Sequence, residues 1–195
     1  MFEVRIHGRG GQGVVTAAGL LSEAAFEEGR YAQAFPSFGS ERTGAPVVAY
    51  CRIDDAPIRS REPVMEPHAV VVQDATLIHQ VDLFAGLRPD GYVLINSSRT
   101  IEELGLGDLL VGRDPGHVVT LPATELARTH FGRPVPNAVL LGGLAALTGL
   151  VHLDSVAGAV RGTFPGKLGD GNVAAATAAF DLLGGTRGEV HATAD

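Results

Sequence analysis

The predicted fold is decided by the stretch FEVRIHGRGGQGVVTAAGLL, which runs from Phe2 to Leu21. In its first part, apolar Val4 and Ile6 alternate with polar residues, which is typical of a short strand. After Gly13 the apolar residues recur at helical spacing. The stretch is therefore predicted to form a strand, a glycine-rich loop and a helix.

This glycine-rich loop is a candidate anion site. Glycines have no Cβ atom to hold a ligand away from the backbone, and the first N–H groups of the helix and the positive end of its dipole face the loop. An arginine in the loop adds a full positive charge. The candidate phosphate-binding residues here are Gly8, Arg9, Gly10, Gly11, Gln12 and Gly13.

The loop also matches the dinucleotide fingerprint G-x-G-x-x-G at Gly8, Gly10 and Gly13. A complete NAD site needs an acidic residue at the end of the second strand, about 20 residues further on. The second strand is predicted from Tyr31 to Phe35 and ends in Pro36-Ser37, without a carboxylate. Two alternatives stay open: a self-sufficient NAD(P)-binding dehydrogenase domain, and glycines that serve only tight packing of strand on helix.

Length and hydropathy predict one globular domain. The 195 residues suit a single domain, which we expect to span 1–183, with a disordered tail at 184–195. The hydrophobic fraction is 45%, and no apolar run reaches the 18 or so residues needed to span a bilayer. No basic and then apolar leader precedes the first strand, so we expect a cytoplasmic protein without a membrane partner.

Charge and ligand counts exclude several function classes. A net charge of −7 argues against a nucleic-acid partner, because phosphate neutralisation needs a basic face. With Cys51 as the single cysteine, this chain alone cannot form an internal disulfide or hold a four-thiolate iron–sulfur cluster. The seven histidines are scattered without zinc-motif spacing. We expect no metal site, and we predict that Cys51 is a packing residue of the third strand.

A second unusual loop follows the second strand, over residues 36–46. It combines prolines, glycines and serines with an arginine at the carboxyl end of a strand, where open α/β sheets place ligands. We expect it to lie beside the glycine-rich loop. Its candidate ligand-binding residues are Ser37 and Arg42.

The remaining pattern predicts an α/β fold. Apolar runs buried on both faces indicate central strands, and two βα units follow one another. We expect a three-layer α/β/α arrangement with a mostly parallel, mixed sheet of about five or more strands, of Rossmann-like type. After the second strand the predicted strands are Val47 to Ile53, its hairpin partner Ile58 to Arg61, Ala69 to Asp74, Tyr92 to Asn96 and His117 to Leu121. Beyond the first, the predicted helices are Leu77 to Leu87, Pro122 to His130, Ala138 to Leu147, a short one capped by Asp154 or Ser155, and Asn172 to Leu183.

A Gly-Asp-Gly-Asn sequence at residues 169–172 resembles the start of a thiamine diphosphate motif. In that motif a pair of asparagines follows about 25 to 30 residues later and helps to hold a metal on the diphosphate, which requires several oxygen ligands. This chain ends too soon for such a pair. We interpret the sequence as a turn and helix cap.

Several motifs together resemble one known family, the gamma subunits of pyruvate:ferredoxin and 2-ketoisovalerate:ferredoxin oxidoreductases. The resemblance covers about residues 2 to 183, and its early motifs are the most specific. One departure is Thr43, where many members have a residue of an E-x-R-G-G or E-R-R-G pattern. The motifs are His7 to Gly13, Ala32 to Gly39, Glu41-Arg42, Gly44 to Pro46, Val72 to Asp74, Pro136-Asn137, Gly143 to Gly149, Phe164 to Lys167 and Asn172.

The resemblance implies a complex that converts a 2-oxoacid and coenzyme A to acyl-CoA and CO2, with pyruvate to acetyl-CoA as the leading reaction. Thiamine diphosphate and iron–sulfur clusters would lie in alpha, beta and delta type partner subunits, and ferredoxin would interact indirectly. This chain would carry no redox cofactor and no catalytic residue. Coenzyme A is its candidate ligand, with Arg9 and Arg42 near the phosphates. A purely structural scaffold remains a further alternative.

Overall fold

The structure is a computed structural model that describes residues 1–37 and 43–192, with the side chains of 185–192 excepted. The described chain forms a six-stranded sheet and five α-helices. The strands are β1 Phe2–Arg9, β2 Tyr31–Pro36, β3 Pro46–Asp54, β4 Ala69–Val72, β5 Tyr92–Asn96 and β6 Val118–Leu121. The α-helices are α1 Val14–Glu27, α2 Ala123–Phe131, α3 Asn137–Thr148, α4 Leu153–Thr163 and α5 Lys167–Ala192. Short 3-10 helices span Ala75–His79, Gly107–Leu110 and Pro115–His117.

The sheet has the strand order β2-β3-β1-β4-β5-β6 and is mixed, as predicted. β1, β4, β5 and β6 pair in parallel, whereas β3 runs antiparallel to both β1 and β2. The predicted hairpin partner from Ile58 to Arg61 is wrong, since that segment forms no strand. The hairpin partner of β3 is instead β2, and residues 37–45 connect the two strands in the sequence.

The two faces of the sheet are covered differently. Residues of α1 to α5 contribute to the core cluster on one face, together with Val71 of β4 and Leu94 of β5. Alternate residues of the same strands, Val70 and Val93, belong to a second cluster with Leu77 and other residues from short helices and turns. The α/β fold is therefore confirmed, but the second outer layer consists of 3-10 helices and turns rather than α-helices.

The helix predicted from Leu77 to Leu87 is wrong for a reason that lies in the tertiary structure. The described segment forms a 3-10 helix, Ala75–His79, and then turns. The guanidinium of buried Arg5 donates to the carbonyl oxygens of Leu83 at 2.9 Å and Ala85 at 2.7 Å. The N–H of Leu87 donates to the carbonyl oxygen of Phe84 rather than to that of Leu83, so the i+4 bond that would close a helix here is not formed.

The helix α3 is apolar on every side and packs closely on α5. Its residues from Asn137 to Leu147 are all buried, which confirms the burial predicted for this segment. Gly142 lies so close to α5 that a Cβ atom placed on it would be 2.1 Å from the carbonyl oxygen of Ala176. The absence of a side chain at this position lets the two helix backbones approach.

The last helix is longer than predicted. It begins at Lys167, so the Gly-Asp-Gly-Asn sequence lies inside α5, and the turn and cap that we expected there are wrong. Asn172 is held within the helix, where its Nδ2 donates to the carbonyl oxygen of Leu168 at 2.8 Å. The backbone is helical as far as Ala192, and residues 193–195 lie outside the described part. The disorder expected for 184–195 stays a prediction.

The burial of Cys51 is confirmed. Its side chain is fully buried in β3, and burial raises the pKa of the thiol to about 12. The neighbouring Arg52 points to the opposite face, where it pairs with Glu3 at 2.7 Å. Cys51 therefore serves packing, since a thiol with this pKa stays protonated.

Candidate functional site

The candidate site lies where β1 ends and α1 begins, at the carboxyl edge of the parallel strands. Gly11 and Gly13 adopt positive φ angles of 90° and 74°, which glycine reaches without steric cost. Gly13 is the N-cap of α1, and no side chain among the described residues caps this helix. The first turn of α1 therefore opens onto the loop, as the sequence predicted.

Two glycines allow close contacts around this turn. A Cβ atom on Gly8 would lie 2.6 Å from Cγ2 of Val14, so Gly8 allows β1 and α1 to pack. A Cβ atom on Gly13 would lie 2.9 Å from Nδ2 of Asn137, the first residue of α3. The N-termini of α1 and α3 thus lie side by side, and their dipoles act on the same region.

The side chain of Arg9 is hydrogen-bonded to several other groups of the protein. Its Nε donates to Oδ2 of Asp74 at 3.1 Å, and its terminal nitrogens donate to the carbonyl oxygen of Gly44, Oγ1 of Thr76 and Oε1 of Gln80. These contacts tie the end of β1 to the second loop and to the 3-10 helix after β4. The geometry gives Arg9 a role in positioning the loop, and its contact with phosphate stays a prediction.

Asp74 is the centre of this network. Its Oδ2 also accepts from Nε2 of Gln12 at 2.8 Å, and its Oδ1 accepts from the backbone and hydroxyl of Thr76. Burial alone would raise the pKa of this carboxyl, but the hydrogen bonds and the charge of Arg9 outweigh it and lower the pKa. Gln12 is held from its other side too, because its Oε1 accepts the N–H of Arg9 at 2.7 Å.

Replacing Asp74 with alanine is expected to lower the free energy of unfolding by about 1.5–3 kcal/mol, because a mostly buried arginine loses its charged partner. The matched control is Asp55→Ala, since Asp55 pairs with Arg30 at a similar 3.0 Å but its side chain is 87% exposed. That change should cost less than about 1 kcal/mol. Urea unfolding of both variants gives the comparison, and equal losses would show that the Asp74 network does not stabilise the loop.

The same network disfavours the dehydrogenase alternative. In the dinucleotide fold the acidic residue lies on the strand beside the first, but here β3 lies between β1 and β2. The parallel neighbour of β1 is β4, and the acidic residue that follows β4 is Asp74. Both oxygens of Asp74 already accept hydrogen bonds from protein groups, so they are not free to hold ribose hydroxyls.

The second predicted loop lies beside the first, as expected, at the part that the structure describes. The N–H of Gly10 donates to the carbonyl oxygen of Ala45 at 2.9 Å, and the N–H of Gly44 donates to that of Gly10 at 3.1 Å. Ser37 is exposed at the end of β2, and its N–H donates to the carbonyl oxygen of Val48. Arg42 lies outside the described residues.

A cavity of about 240 Å³ opens on the side of the glycine-rich loop that faces α3 and α5. Apolar side chains form part of its wall, and the loop, two asparagines and one arginine form the rest. Its lining residues are Gly11, Gln12, Gly13, Thr16, Phe131, Arg133, Val135, Asn137, Phe164, Leu168 and Asn172. We call this space the loop cavity. A second cavity of similar volume lies on the other side of the loop, against Val47.

Three polar side chains determine which ligand groups the loop cavity can bind. Asn137 is 2% exposed and its Oδ1 accepts the N–H of Ala138, while its Nδ2 has no partner among the described residues. Asn172 is 3% exposed, and its Oδ1 likewise has no partner in the described chain. Arg133 is exposed and makes no ion pair within the described ranges. The cavity thus offers a positive charge, an amide donor and an amide acceptor.

This arrangement is suited to a phosphate attached to a larger organic group. The paired helix N-termini and Arg133 favour an anion, while Phe131 and Phe164 provide apolar contact surface. Arg133, Asn137 and Asn172 were not among the ligand-binding residues predicted from the sequence. Pro136-Asn137 and Asn172 were nevertheless present in the family motifs, whereas Arg133 had no sequence signal.

No cluster of three His, Cys, Asp or Glu side chains that could hold a metal ion occurs in residues 1–37 and 43–192. Within the same residues, no helix combines the length and the apolar character needed to cross a bilayer.

Comparison with known proteins gives consistent matches. Residues 3–182 match the sequence model of the family described as pyruvate ferredoxin/flavodoxin oxidoreductase. The chain is 49% identical to the pyruvate synthase subunit PorC of Methanothermobacter marburgensis, over 94% of this chain and 98% of that one. It is also 49% identical to the pyruvate/ketoisovalerate oxidoreductases common subunit gamma of Pyrococcus abyssi, over 93% and 96% of the two chains. The crystal structure of the pyruvate oxidoreductase subunit PORC of Thermotoga maritima superimposes with a TM-score of 0.77 at 36% identity, covering 92% of this chain and 95% of that one.

Proposed function

This chain belongs to the pyruvate ferredoxin/flavodoxin oxidoreductase family, and from that membership we propose that it is the gamma-type subunit of a 2-oxoacid:ferredoxin oxidoreductase. The complex converts a 2-oxoacid and coenzyme A to acyl-CoA and CO2. Pyruvate is the proposed substrate, because the relatives are named as pyruvate synthase and pyruvate oxidoreductase subunits. The relatives are matched over nearly their whole length, so the proposal concerns the subunit as a whole.

We infer that this subunit does not complete the reaction by itself. Complexes of this family use thiamine diphosphate and iron–sulfur clusters that other subunits carry. The single cysteine of this sequence, Cys51, is buried in β3, and one thiolate cannot hold a four-thiolate cluster. The proposed partners are alpha, beta and delta type subunits, with ferredoxin as the electron acceptor of the complex in the cytoplasm.

The observation that carries a coenzyme A role is the loop cavity. Coenzyme A ends in a phosphorylated nucleotide, and it therefore needs both anion recognition and an apolar surface. The N-termini of α1 and α3 and the guanidinium of Arg133 supply the first, and two phenylalanine rings supply the second. The proposed ligand residues on the loop are Gly8 to Gly13, and Gly8 and Arg9 also hold the shape of the loop.

Arg133 is the side chain whose removal tests this role. A charge-assisted contact to phosphate is worth about 1.5–3 kcal/mol, so Arg133→Ala is expected to raise the Michaelis constant for coenzyme A by about ten-fold or more in the assembled enzyme. Arg133→Lys should restore only part of the loss, because lysine keeps the charge without the planar fork. Arg42→Ala, in the second loop, is predicted to have a similar effect.

Arg59→Ala serves as the control, since Arg59 is exposed and does not line the loop cavity. It should leave the coenzyme A dependence unchanged. An equal Michaelis constant in Arg133→Ala, with normal assembly, would contradict phosphate binding by this cavity.

A second experiment tests the assignment to the complex. The full chain alone is expected to turn over neither pyruvate nor nicotinamide, and the reaction with pyruvate, coenzyme A and ferredoxin should appear when the partner subunits are added. Nicotinamide binding by the isolated chain would instead support the dehydrogenase alternative. A complex that keeps full activity without this chain would reject the proposal.

A further inference from the structure

Two buried asparagines in the loop cavity have their amides held in a fixed orientation. Oδ1 of Asn137 accepts the N–H of Ala138 at 3.0 Å, and Nδ2 of Asn172 donates to the carbonyl oxygen of Leu168 at 2.8 Å. Turning either amide over would place donor against donor or acceptor against acceptor. The atoms left without a partner in the described chain are therefore a donor, Nδ2 of Asn137, and an acceptor, Oδ1 of Asn172.

Both of these atoms open into the loop cavity. Some amide atoms of the described residues are sealed from solvent without a partner, such as those of Gln73, but neither Nδ2 of Asn137 nor Oδ1 of Asn172 is among them. Asn137 and Asn172 line the cavity and are otherwise almost completely buried, at 2% and 3% exposed. A ligand in the cavity therefore reaches both atoms.

The acceptor on Asn172 restricts the chemistry of the ligand group. A buried acceptor is costly to leave without a hydrogen-bond donor. A fully ionised phosphate can bind at Arg133, at the first turn of α1 and at Nδ2 of Asn137, but it has no hydrogen to donate to Oδ1 of Asn172. The group that satisfies the whole cavity carries an O–H or N–H close to its phosphate.

The volume of the cavity limits how much of coenzyme A it can hold. Sites that enclose a drug-sized ligand measure about 300–1,000 Å³, whereas the loop cavity measures about 240 Å³. Coenzyme A is larger than a typical drug molecule. The cavity therefore encloses only one end of it.

The two ends of coenzyme A differ in the groups that they offer. The pantetheine end carries amides and a thiol but no charge, so it offers nothing to Arg133. No His, Cys, Asp, Glu or Lys accompanies Arg133 among the described lining residues, so no side chain there is suited to take the proton of a thiol. The nucleotide end carries phosphates, hydroxyl and amino donors, and a flat base of the kind that stacks on rings such as Phe131 and Phe164.

We propose that the loop cavity binds the phosphorylated adenosine end of coenzyme A, and that Asn172 and Asn137 determine this choice. Oδ1 of Asn172 accepts from a hydroxyl or amino group of the adenosine, and Nδ2 of Asn137 donates to one of its acceptors. Arg133 binds the phosphate. This assignment rests on the proposed coenzyme A role and adds which end of the coenzyme the chain recognises. The thiol end lies outside the cavity.

Fragments of the coenzyme test the choice of end. Adenosine 3′,5′-bisphosphate, which is the nucleotide end without pantetheine, is expected to bind the full chain in isothermal titration calorimetry and to compete with coenzyme A in the assembled complex. Pantetheine should do neither. A nucleotide that binds in neither sample overturns the proposal, as does pantetheine competing equally well. Turnover of pyruvate with coenzyme A is measured separately, so either failure leaves the proposed function of the subunit intact.

Two analogues of the nucleotide identify the group that donates to Asn172. Inosine 3′,5′-bisphosphate has a carbonyl oxygen in place of the amino group of adenine, and the 2′-deoxy analogue of adenosine 3′,5′-bisphosphate lacks the ribose hydroxyl. One of the two is expected to bind the wild-type chain about ten-fold or more weakly than adenosine 3′,5′-bisphosphate, because it leaves the buried acceptor unpaired. Equal binding of all three nucleotides by the wild-type chain would contradict a hydrogen bond to Asn172.

The variant Asn172→Leu separates recognition of the nucleoside from recognition of phosphate. It is expected to bind adenosine 3′,5′-bisphosphate about ten-fold or more weakly and to bind inorganic phosphate as the wild-type chain does, whereas Arg133→Ala should weaken both. The difference between the two analogues should also disappear in Asn172→Leu. Gln33→Leu is the matched control, since it removes an amide from β2, away from the loop cavity.

Retained binding of inorganic phosphate shows that the Asn172→Leu variant is folded. Unchanged binding of adenosine 3′,5′-bisphosphate by this folded variant overturns the role of Asn172. If the variant does not fold, the comparison of the three nucleotides on the wild-type chain decides, because it requires no substitution.

Discussion

Replacing Gly142 with alanine is expected to lower the free energy of unfolding by about 3 kcal/mol. The new Cβ would lie 2.1 Å from the carbonyl oxygen of Ala176 and 2.8 Å from its Cα, both backbone atoms of α5. A backbone cannot turn aside as a side chain can, so α3 and α5 must separate and lose buried contacts between them. For a chain of this size each kcal/mol lowers the melting temperature by roughly 2–4 °C, which calorimetry detects easily.

The matched control is Gly162→Ala, also a glycine-to-alanine change within a helix. At Gly162 the nearest atom to a new Cβ is a carboxylate oxygen of Glu23 at 3.6 Å, an ordinary contact. This variant should gain up to about 1 kcal/mol, because alanine has the higher helix propensity. If both variants were stabilised, the contact between α3 and α5 would be looser than the structure shows.

The second large effect is a loss of stability at mildly acidic pH that depends on His7. His7 is 4% exposed, and burial, together with the charge of Arg5, lowers its pKa to about 3 from an ordinary value of 6.5. The folded state therefore holds His7 neutral, while the unfolded state binds a proton below pH 6.5. Stability is fully present above pH 6.5 and falls as the pH drops from 6.5 toward 3, with a slope of up to about 1.4 kcal/mol per pH unit.

The test compares unfolding free energies at pH 7 and pH 5, above the range where most carboxylates titrate. The wild-type chain is expected to lose about 2 kcal/mol more than the His7→Phe variant, which cannot take up a proton there. His130→Gln is the control, because His130 is exposed on α2. The idea fails if the His7→Phe variant loses as much stability as the wild-type chain over this interval.

Local sequence patterns predicted the parts of this fold that depend on neighbouring residues. Alternation and helical spacing predicted β1, the loop and α1, because strand and helix periods are visible in a short window. The continuous apolar runs predicted β4 and β5, and β5 has the predicted bounds of Tyr92 and Asn96. Periodicity alone was misleading for Leu77 to Leu87, where hydrogen bonds from Arg5, more than 70 residues away in sequence, hold the carbonyls.

The candidate site likewise has a part that the sequence predicted and a part that depends on the tertiary structure. The glycines that shape the loop were found from the sequence, because a positive φ angle and a close approach both select glycine locally. The hydrogen bonds of Arg9 could not be predicted from the sequence, because its partners Asp74, Thr76 and Gln80 lie more than 60 residues further along the chain. The sequence shows that the loop contains a charged side chain, but only the folded structure shows whether that side chain is already bound to other groups of the protein or is free to bind a ligand.

The sequence by itself determined the α/β class, the glycine-rich loop between strand and helix and, through its motifs, the family. These follow from residue type and spacing over short distances. The tertiary structure alone decided which charges meet, which face of the sheet the α-helices cover, and that Arg133, Asn137 and Asn172 line one cavity with the loop. The reason is that pairing of β3 with β1 and packing of α3 on α5 join segments distant in sequence, and the geometry of such contacts depends on the whole chain being folded.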